Sequence, residues 1–565
     1  MVDEQSTLAN GKQKVHASEL AKKQREIGVA EFFARNRHLL GFDNKIKALM
    51  TTIKEAVDNA LDACEEASIL PEIIVEVIDM TNDRYRIVIE DNGPGIVKAQ
   101  IPKIFAKLLY GSKFHQLKMT RGQQGIGISA AVMYGQLTTG RPAKIRSKTD
   151  PHKPAHQYEL KIDTKTNNPQ ILHDQEVDWE KEHGTRIEID IEATYQRGSR
   201  SIDEYLKQTA IVNPHVTIIY ANPKGEQIIF SRVSEVEPKV PEAIKPHPYG
   251  VELGILISML HSTQAKTLQQ FLMTEFVRVG ANTAKEICAN ARLEPKAKPK
   301  KFTREQGEAL AKGIKETKII APPTDCISPI GKDHLERGLR KEINAEFYAT
   351  TTRPPSVYRG NPFIIEAGIA YGGEQNGDSL ASITRFANRV PLLFQQGACA
   401  VTKAIQQTTW RNYGLQQSRS SLPSGPITIL VAINSVWVPF TSESKEAIAH
   451  YPEILKEMKL ALQEVGRMLG SYLNKKKRVG HELKKRSYIE KYIPHVANAL
   501  KDLLSLDESA EQTIKDHLHV ILEHERGKVE DMKFDPTKNK EYDENFANIG
   551  KDEETEEEGV EQQTE

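Results

Sequence analysis

The 565-residue chain has little cysteine, little tryptophan and no excess of either charge. Its four cysteines, Cys64, Cys288, Cys326 and Cys399, lie far apart in sequence. That spacing excludes a CxxC redox pair and a cysteine-based zinc site, and it suits a reducing cytoplasm. Lys+Arg and Asp+Glu each number 77, so the formal charge is zero. A uniformly basic coat for nucleic acid is therefore excluded, though a local basic patch is not. No apolar run reaches the ~18 residues that a membrane span requires. The nearest, Val251–Leu260, is interrupted by Glu252 and Gly254. Met1–Val15 is polar and lacks the apolar stretch of a secretory leader. The chain also lacks any GxxxxGK[ST] phosphate-binding loop.

What is present is 39% apolar residues, enough for several cores over a length that predicts about three to five domains. Helical spacing runs from near Ser18 to Phe33 with a break, and again over about Asn44–Glu66. Ile73–Ile78 and Tyr85–Glu90 read as strands around a hairpin turn at Met80–Asp83. Arg186–Ile191 and Val216–Tyr220 add strands to one mixed sheet. Short helices are expected at Leu253–Leu260, Ala265–Val279 and Ala281–Asn290. After the Pro/Lys stretch Pro295–Lys301, Thr303–Gln306 matches a helix capping box. Ile427–Ile433 is a strand, with Val436–Phe440 as its continuation. A long helix is expected from about Glu443 to Tyr472, then further helix over Glu482–Leu504 and Ala510–His524. The last ~40 residues are charged and aperiodic, with an acidic tail at Glu553–Glu558.

Three segments carry chemistry. On a wheel of about 100° per residue, Glu55, Asp58, Asn59 and Asp62 share one face, opposite Leu49, Ile53 and Leu61. Alone, that stripe is an ordinary solvated helix face. Next, a strand ends in Asp91-Asn92-Gly93-Pro94-Gly95, where a carboxylate is followed by glycines that let backbone approach a bound group. Third, Gly122-Gln123-Gln124-Gly125-Ile126-Gly127-Ile128-Ser129 leads into an apolar helical run. Such a loop aims N–H groups at phosphates, with a helix N-terminus behind it.

In this order and spacing the three segments form the Bergerat pattern. The chain resembles the GHKL superfamily of ATPases, which includes gyrase B subunits, MutL, histidine kinases and the ninety-kilodalton heat-shock chaperones. The resemblance implies ATP as ligand and Mg²⁺ as cofactor. It implies Glu55 as general base toward water, Asn59 as the magnesium ligand, and Asp91 as acceptor for the adenine amino group. Gly95 and the stretch Gly122, Gln123, Gln124, Gly125, Ile126, Gly127, Ile128 and Ser129 would complete the nucleotide site. Thr185 would help Asp91, and Ser112 and Lys113 lie in the segment the family folds over the nucleotide. Lys445, after the last strand, matches the lysine that gyrase B subunits and MutL send to the γ-phosphate.

The helical insert narrows the likeness to the B subunits of the type IIB (topoisomerase VI) family. So do Arg353-Pro354-Pro355-Ser356, Arg385-Phe386-Ala387-Asn388-Arg389-Val390-Pro391 and Ser487–Pro494. The expected fold is α+β and multidomain. It comprises a strap and Bergerat α/β-sandwich ATPase domain over 1–245 and a helix–two-turns–helix domain over 246–320. An α/β transducer domain with a long C-terminal helix follows over 321–505, then a helical and acidic, partly disordered tail over 506–565. The resemblance further implies a cleaving A subunit in an A2B2 heterotetramer, ATP-dependent pairing of two B chains, duplex DNA as substrate, and a cytoplasmic, nucleoid-associated enzyme. The alternative is a MutL- or chaperone-like ATP-gated clamp without a cleaving partner. Lys296, Lys298, Lys300 and Lys301, and Lys475, Lys476, Lys477 and Arg478 with Lys484–Arg486, are the candidate DNA contacts, through phosphate neutralisation. A solvated linker accounts for the first cluster equally well and for the second less well. His517, His519 and His524 lie on one expected helix, but His517 and His519 point about 200° apart on the wheel, so surface or packing roles are expected rather than a metal site.

Overall fold

The computed structural model describes residues 17–526, except 25, 115, 123, 124, 199 and 443. After α1 (Ala17–Lys23) and α2 (Val29–Arg35) comes α3 (Lys45–Glu66), on which the first half of the chain is organised. The Asn44 side chain caps α3 by accepting from the Lys47 N–H at 2.9 Å. Leu49, Ile53, Val57 and Leu61 form its buried stripe. Each such side chain contributes about 1.5–3 kcal/mol through burial.

The stripe lies on an eight-stranded mixed sheet. Its strands are β1 (Glu72–Asp79), β2 (Arg84–Asp91), β3 (Ala143–Lys148), β4 (Ala155–Asp163), β5 (Asn168–Val177), β6 (Gly184–Glu192), β7 (Thr217–Ala221) and β8 (Gln227–Phe230). Their spatial order is β5-β4-β3-β6-β2-β1-β7-β8. The turn expected at Met80–Asp83 joins β1 to β2 antiparallel, with Thr81, Asn82 and Asp83 all left-handed. Between strands lie α4 (Ile101–Ala106), α5 (Gly127–Thr139) and α6 (Ile202–Val212). Residues of α3, α5 and α6 share one core with the inward strand positions Ile73, Val75, Ile87, Ile89 and Ile187. The outward face carries polar pairs instead, Arg86–Asp190 at 2.7 Å and Arg186–Glu90 at 2.9 Å.

A helical unit with its own core follows: α7 (Leu253–Ser262), α8 (Leu268–Glu275), α9 (Ala281–Asn290) and α10 (Arg304–Glu316). Leu256, Leu260, Phe271, Leu272, Ile287, Leu310 and Ile314 fill it. The capping box at Thr303 and Gln306 is formed. The helix expected over Ala265–Val279 is shorter, because the Thr267 side chain caps it late and Arg278 is left-handed.

Helix α11 (Lys332–Glu342) then leads into a second sheet. It contains β9 (Phe347–Thr352), β10 (Ser356–Tyr358), β11 (Asn361–Tyr371), β12 (Ser382–Ala387) and β13 (Val390–Pro391). Helix α12 (Ala400–Gln407), the small pair β14 (Gln416–Gln417) and β15 (Pro423–Ser424), and β16 (Ile427–Ser435) follow. The order is β10-β11-β16-β12-β13, with β9 also on β11. Every position of β16 is buried. Helix α13 (Pro452–Leu504) packs Met458, Leu462, Val465 and Leu469 on this sheet, and α14 (Glu508–Arg526) follows. A small bridging core joins the two halves through Ile211 and Val212 of α6, Leu335 and Leu339 of α11, and Phe386 and Leu430.

Three sequence expectations are corrected here. Strand β16 stops at Ser435, and Val436–Phe440 does not extend it. The long helix begins at Pro452 rather than Glu443, since proline suits the first helical turn and Lys445 sits at φ 53°, outside the helical region. It also runs unbroken where a gap was expected near 473–481. There the apolar stripe disappears under Asn474–Arg478, but lysine and arginine are good helix formers. Among the described residues, no helix is long and apolar enough to cross a membrane. The acidic tail at Glu553–Glu558 lies outside the described residues.

A candidate nucleotide site between the two sheets

A cavity of roughly 640 Å³ opens where the first sheet's helices meet the second sheet. Glu55 and Asn59 of α3, Asp91 at the end of β2, and Thr185 of β6 all line it. So do Gly95, Ser112, Lys113, Gly122 and Gly125–Ile128, and from the second half Leu392–Phe394 and Lys445. The three motifs that are separate in sequence therefore meet around one space.

The Asp91 end is fixed by strand register. Asp91 lies opposite Thr185, and Thr185 opposite Ser147 of β3. One Asp91 oxygen accepts from the Gly93 N–H at 2.9 Å and the Thr185 N–H at 3.1 Å. Burial pushes the Asp91 carboxyl up to about 6, against the pull of those two N–H groups. The Thr185 and Ser147 hydroxyls lie 3.0 Å apart, and Ser147 also accepts from the Ile96 N–H at 2.8 Å. Sequence reading missed Ser147, which belongs to no motif and arrives by register. Gly95 has φ 71°, and a Cβ there would stand 2.0 Å from the Lys148 carbonyl oxygen, so only glycine fits.

At the other end, Glu55 is half-buried beside Lys54, whose Nζ is 3.3 Å from Oε1. Burial would raise the Glu55 pKa, but Lys54 and Lys445 outweigh it and hold the carboxyl below its ordinary value. Glu55 is thus an anion available to accept a proton. Gly127 opens α5 directly against it: a Cβ at Gly127 would fall 1.7 Å from Glu55 Oε2. One turn along α3, Asn59 is exposed among buried neighbours, with its amide available to the cavity. Its oxygen is a suitable ligand for a hard cation.

The flanking acids serve structure. Asp58 is buried and accepts from the Tyr205 hydroxyl at 3.2 Å. Asp62 holds Lys113 at 2.6 Å and Arg121 at 2.8 Å. Arg121, 7% exposed, also reaches Glu65 at 2.7 Å and Asn213 at 2.6 Å. Burial would lower the Arg121 pKa, but Glu65 and Asp62 override it. This arginine, unremarked in the sequence, ties the glycine loop to α3. Residues 107–114 run alongside the same loop, with the Tyr110 N–H donating to the Gly125 carbonyl at 3.3 Å.

Lys445 enters from the second half on a loop closed by the Phe440–Ile448 bridge. Its Nζ donates to the Arg121 carbonyl at 3.4 Å. Burial pulls the Lys445 pKa below its ordinary value, with Glu55 opposing. Ser129 is buried and does not line the cavity, and its hydroxyl donates back to the Ile126 carbonyl at 2.9 Å. Three residues into α5 the helix has rotated that side chain away from the opening. Gln123 and Gln124 lie outside the described residues.

The basic clusters do not line the cavity. Lys296, Lys298, Lys300 and Lys301 are exposed at the edge of the helical unit, as are Lys477 and Arg478 on α13. Lys475 is half-buried, Lys476 pairs with Glu346, and Arg486 is buried, so the second cluster presents fewer cations than its sequence suggests. His517, His519 and His524 are exposed on α14. Among the described residues no group of acidic, histidine or cysteine side chains is arranged to hold a metal ion.

The fold and site define an ATPase joined to a transducer. Residues 44–195 match the family model for histidine kinase-, DNA gyrase B- and HSP90-like ATPases, and residues 322–485 match the transducer of the topoisomerase VI B subunit. The chain is 53% identical over 492 residues to the B subunit of type 2 DNA topoisomerase 6 from Methanococcoides burtonii, covering 87% of this chain and 79% of that one. Identity to its namesake from Methanosarcina mazei is 52% over 492 residues, with the same coverage. For Archaeoglobus fulgidus it is 48% over 486 residues, covering 86% and 80%. The chain belongs to the family of type 2 DNA topoisomerase 6 B subunits.

Proposed function

We propose that the chain binds ATP in this cavity and hydrolyses it to drive a type II DNA topoisomerase. The observation that carries the reading is one cavity receiving Glu55, Asn59 and Asp91 from the first half and Lys445 from the second. Asp91 accepts from the adenine amino group; guanine offers a carbonyl there and is rejected. The N–H groups at Gly125–Ile128, where α5 begins, receive the phosphates. Glu55 orients water and takes its proton as the water oxygen bonds to the γ-phosphorus and the bond to the ADP oxygen breaks. Magnesium, when bound, neutralises charge on the phosphates, and Asn59 is the residue to hold it. Lys445 pairs with the γ-phosphate, so phosphate departure removes its partner and frees the second sheet to tilt.

In this reading two B chains close on ATP as a gate. A cleaving A subunit, in an A2B2 assembly, opens one duplex so that a second passes. Exposed lysines of the 296–301 and 475–478 stretches steer DNA by charge, without reading sequence. The direct test is plasmid relaxation by the chain with a candidate A subunit. Relaxation that requires ATP supports the reading, and ATP turnover with no relaxation by any such pair overturns it.

A further inference from the structure

Lys445 is carried by a loop whose stem and tip belong to different halves of the molecule. The stem is held in the second half: Thr441 N–H donates to the Ala447 carbonyl at 2.9 Å, and Ala400 N–H donates to the Ile448 carbonyl at 2.9 Å. At the tip Lys445 is left-handed, at φ 53°, a conformation that a non-glycine residue keeps only where its surroundings impose it. The neighbouring residue, Glu446, gives the tip an ion pair with the first half. It is 7% exposed, and its Oε1 lies 2.9 Å from Nζ of Lys47, in the first turns of α3. Its other oxygen accepts from the Gln395 side chain at 2.5 Å, and Gln395 is itself left-handed. Lys47 also sits 5.2 Å from the centre of the Phe394 ring, one of the second-half residues lining the cavity. A buried carboxylate without its cation is costly, so the pair ties loop position to α3, the helix that bears Glu55 and Asn59.

We infer that Glu446 is a positioning residue: through its ion pair with Lys47 it seats the Lys445 loop on α3 and so sets where the Lys445 amine meets the γ-phosphate. Glu446 also borders the cavity, but both of its oxygens are taken, by Lys47 and Gln395, so it acts through Lys445. This inference rests on the role given to Lys445 above and goes beyond it, since it makes the lysine's reach conditional on a second, oppositely charged contact between the halves. It also gives α3 a part in sensing whether the loop is seated.

The test is an epistasis measurement on the full chain assembled with a cleaving partner, reading ATP turnover. Glu446→Gln should lower kcat about tenfold and leave KM for ATP within about twofold, because Asp91, Thr185 and the glycine loop keep their places and the glutamine keeps the shape of the side chain. In a Lys445→Ala background the same change should cost less than about twofold, since nothing remains to position. A role confined to fold stability would subtract equally in both backgrounds, so equal losses, or no loss in the native chain, overturn the inference. Should Glu446→Gln fail to fold, Lys47→Gln removes the same pair from a partly exposed site and carries the same expectation. A Lys445→Ala chain that turns over at the native rate would overturn the reading of Lys445 itself, and this inference with it.

Discussion

The two ends of the cavity are built in opposite ways. At the Asp91 end, Asp91, Thr185 and Ser147 are neighbours by register in three adjacent strands of one sheet, and backbone N–H groups hold the carboxylate. At the Glu55 end, the groups come from α3, from the first turn of α5, from the loop at Arg121, and from Lys445 on a loop that follows the second sheet. The first end is complete whenever its sheet is folded. The second is complete only when the two halves of the chain are docked. On the proposed function, recognition of the base is thus preorganised, whereas the hydrolytic end depends on conformation, which is where a motor needs its dependence.

Breaking the hydrolytic end should give the largest effect. Glu55→Ala should lower ATP turnover by about 10²–10⁴-fold, the span of a lost general base, while ATP-dependent pairing of the chain, read by light scattering or crosslinking, persists. Retained turnover would remove Glu55 from the mechanism. Gly127→Ala comes next. Its methyl group would displace the Glu55 carboxylate, whose side-chain atoms are the nearest to it, so we expect turnover to fall by more than about tenfold with little change in Tm.

Sharpening the comparison from the other end calls for Asp91→Asn, which should abolish adenine-dependent binding yet stabilise the free protein. The folded pKa of Asp91, about 6, lies above its ordinary 3.8. Folding therefore favours the protonated form, and the stability this contributes is present at low pH and lost as pH rises through about 6. At pH 8 the asparagine variant should be more stable by about 3 kcal/mol, an advantage that fades below pH ~4. Urea unfolding at the two pH values checks the sign. In the native chain, ATP affinity should fall as pH drops through about 6, because the protonated carboxyl is a poorer acceptor. Ser129→Ala should give the smallest effect. It forfeits one hydrogen bond, worth about 1 kcal/mol, and leaves KM and kcat near native, as measured by steady-state turnover.

The residues of the cavity were legible in sequence where a short stretch fixes both identity and orientation. Glu55 and Asn59 lie on one helical face, Asp91 ends a strand, and the glycines precede a helix, so each motif reports its own local geometry. What was not legible depends on contacts between distant segments. Ser147 meets Thr185 only through the pairing of β3 with β6. Arg121 gains its importance from Asp62, Glu65 and Asn213, none near it in sequence. The same holds for Glu446, whose partner Lys47 is far from it in sequence, on the third helix of the chain. Helix boundaries failed for local reasons that pattern reading underweights: a left-handed Lys445 and a proline at 452 postponed the start of α13, and a run of basic residues concealed its continuity.

Helix α13 spans 53 residues, so it is a shaft about 80 Å long. Its first turns lie against the sheet that carries the Lys445 loop, and its far end lies well beyond that sheet. A pivot of about 5° at the base would therefore sweep the distal turns through roughly 7 Å, given that length. On the role proposed for Lys445, loss of a single phosphate contact, an event of ångström scale, would leave the other end of the molecule as a stroke large enough to separate one protein surface from another.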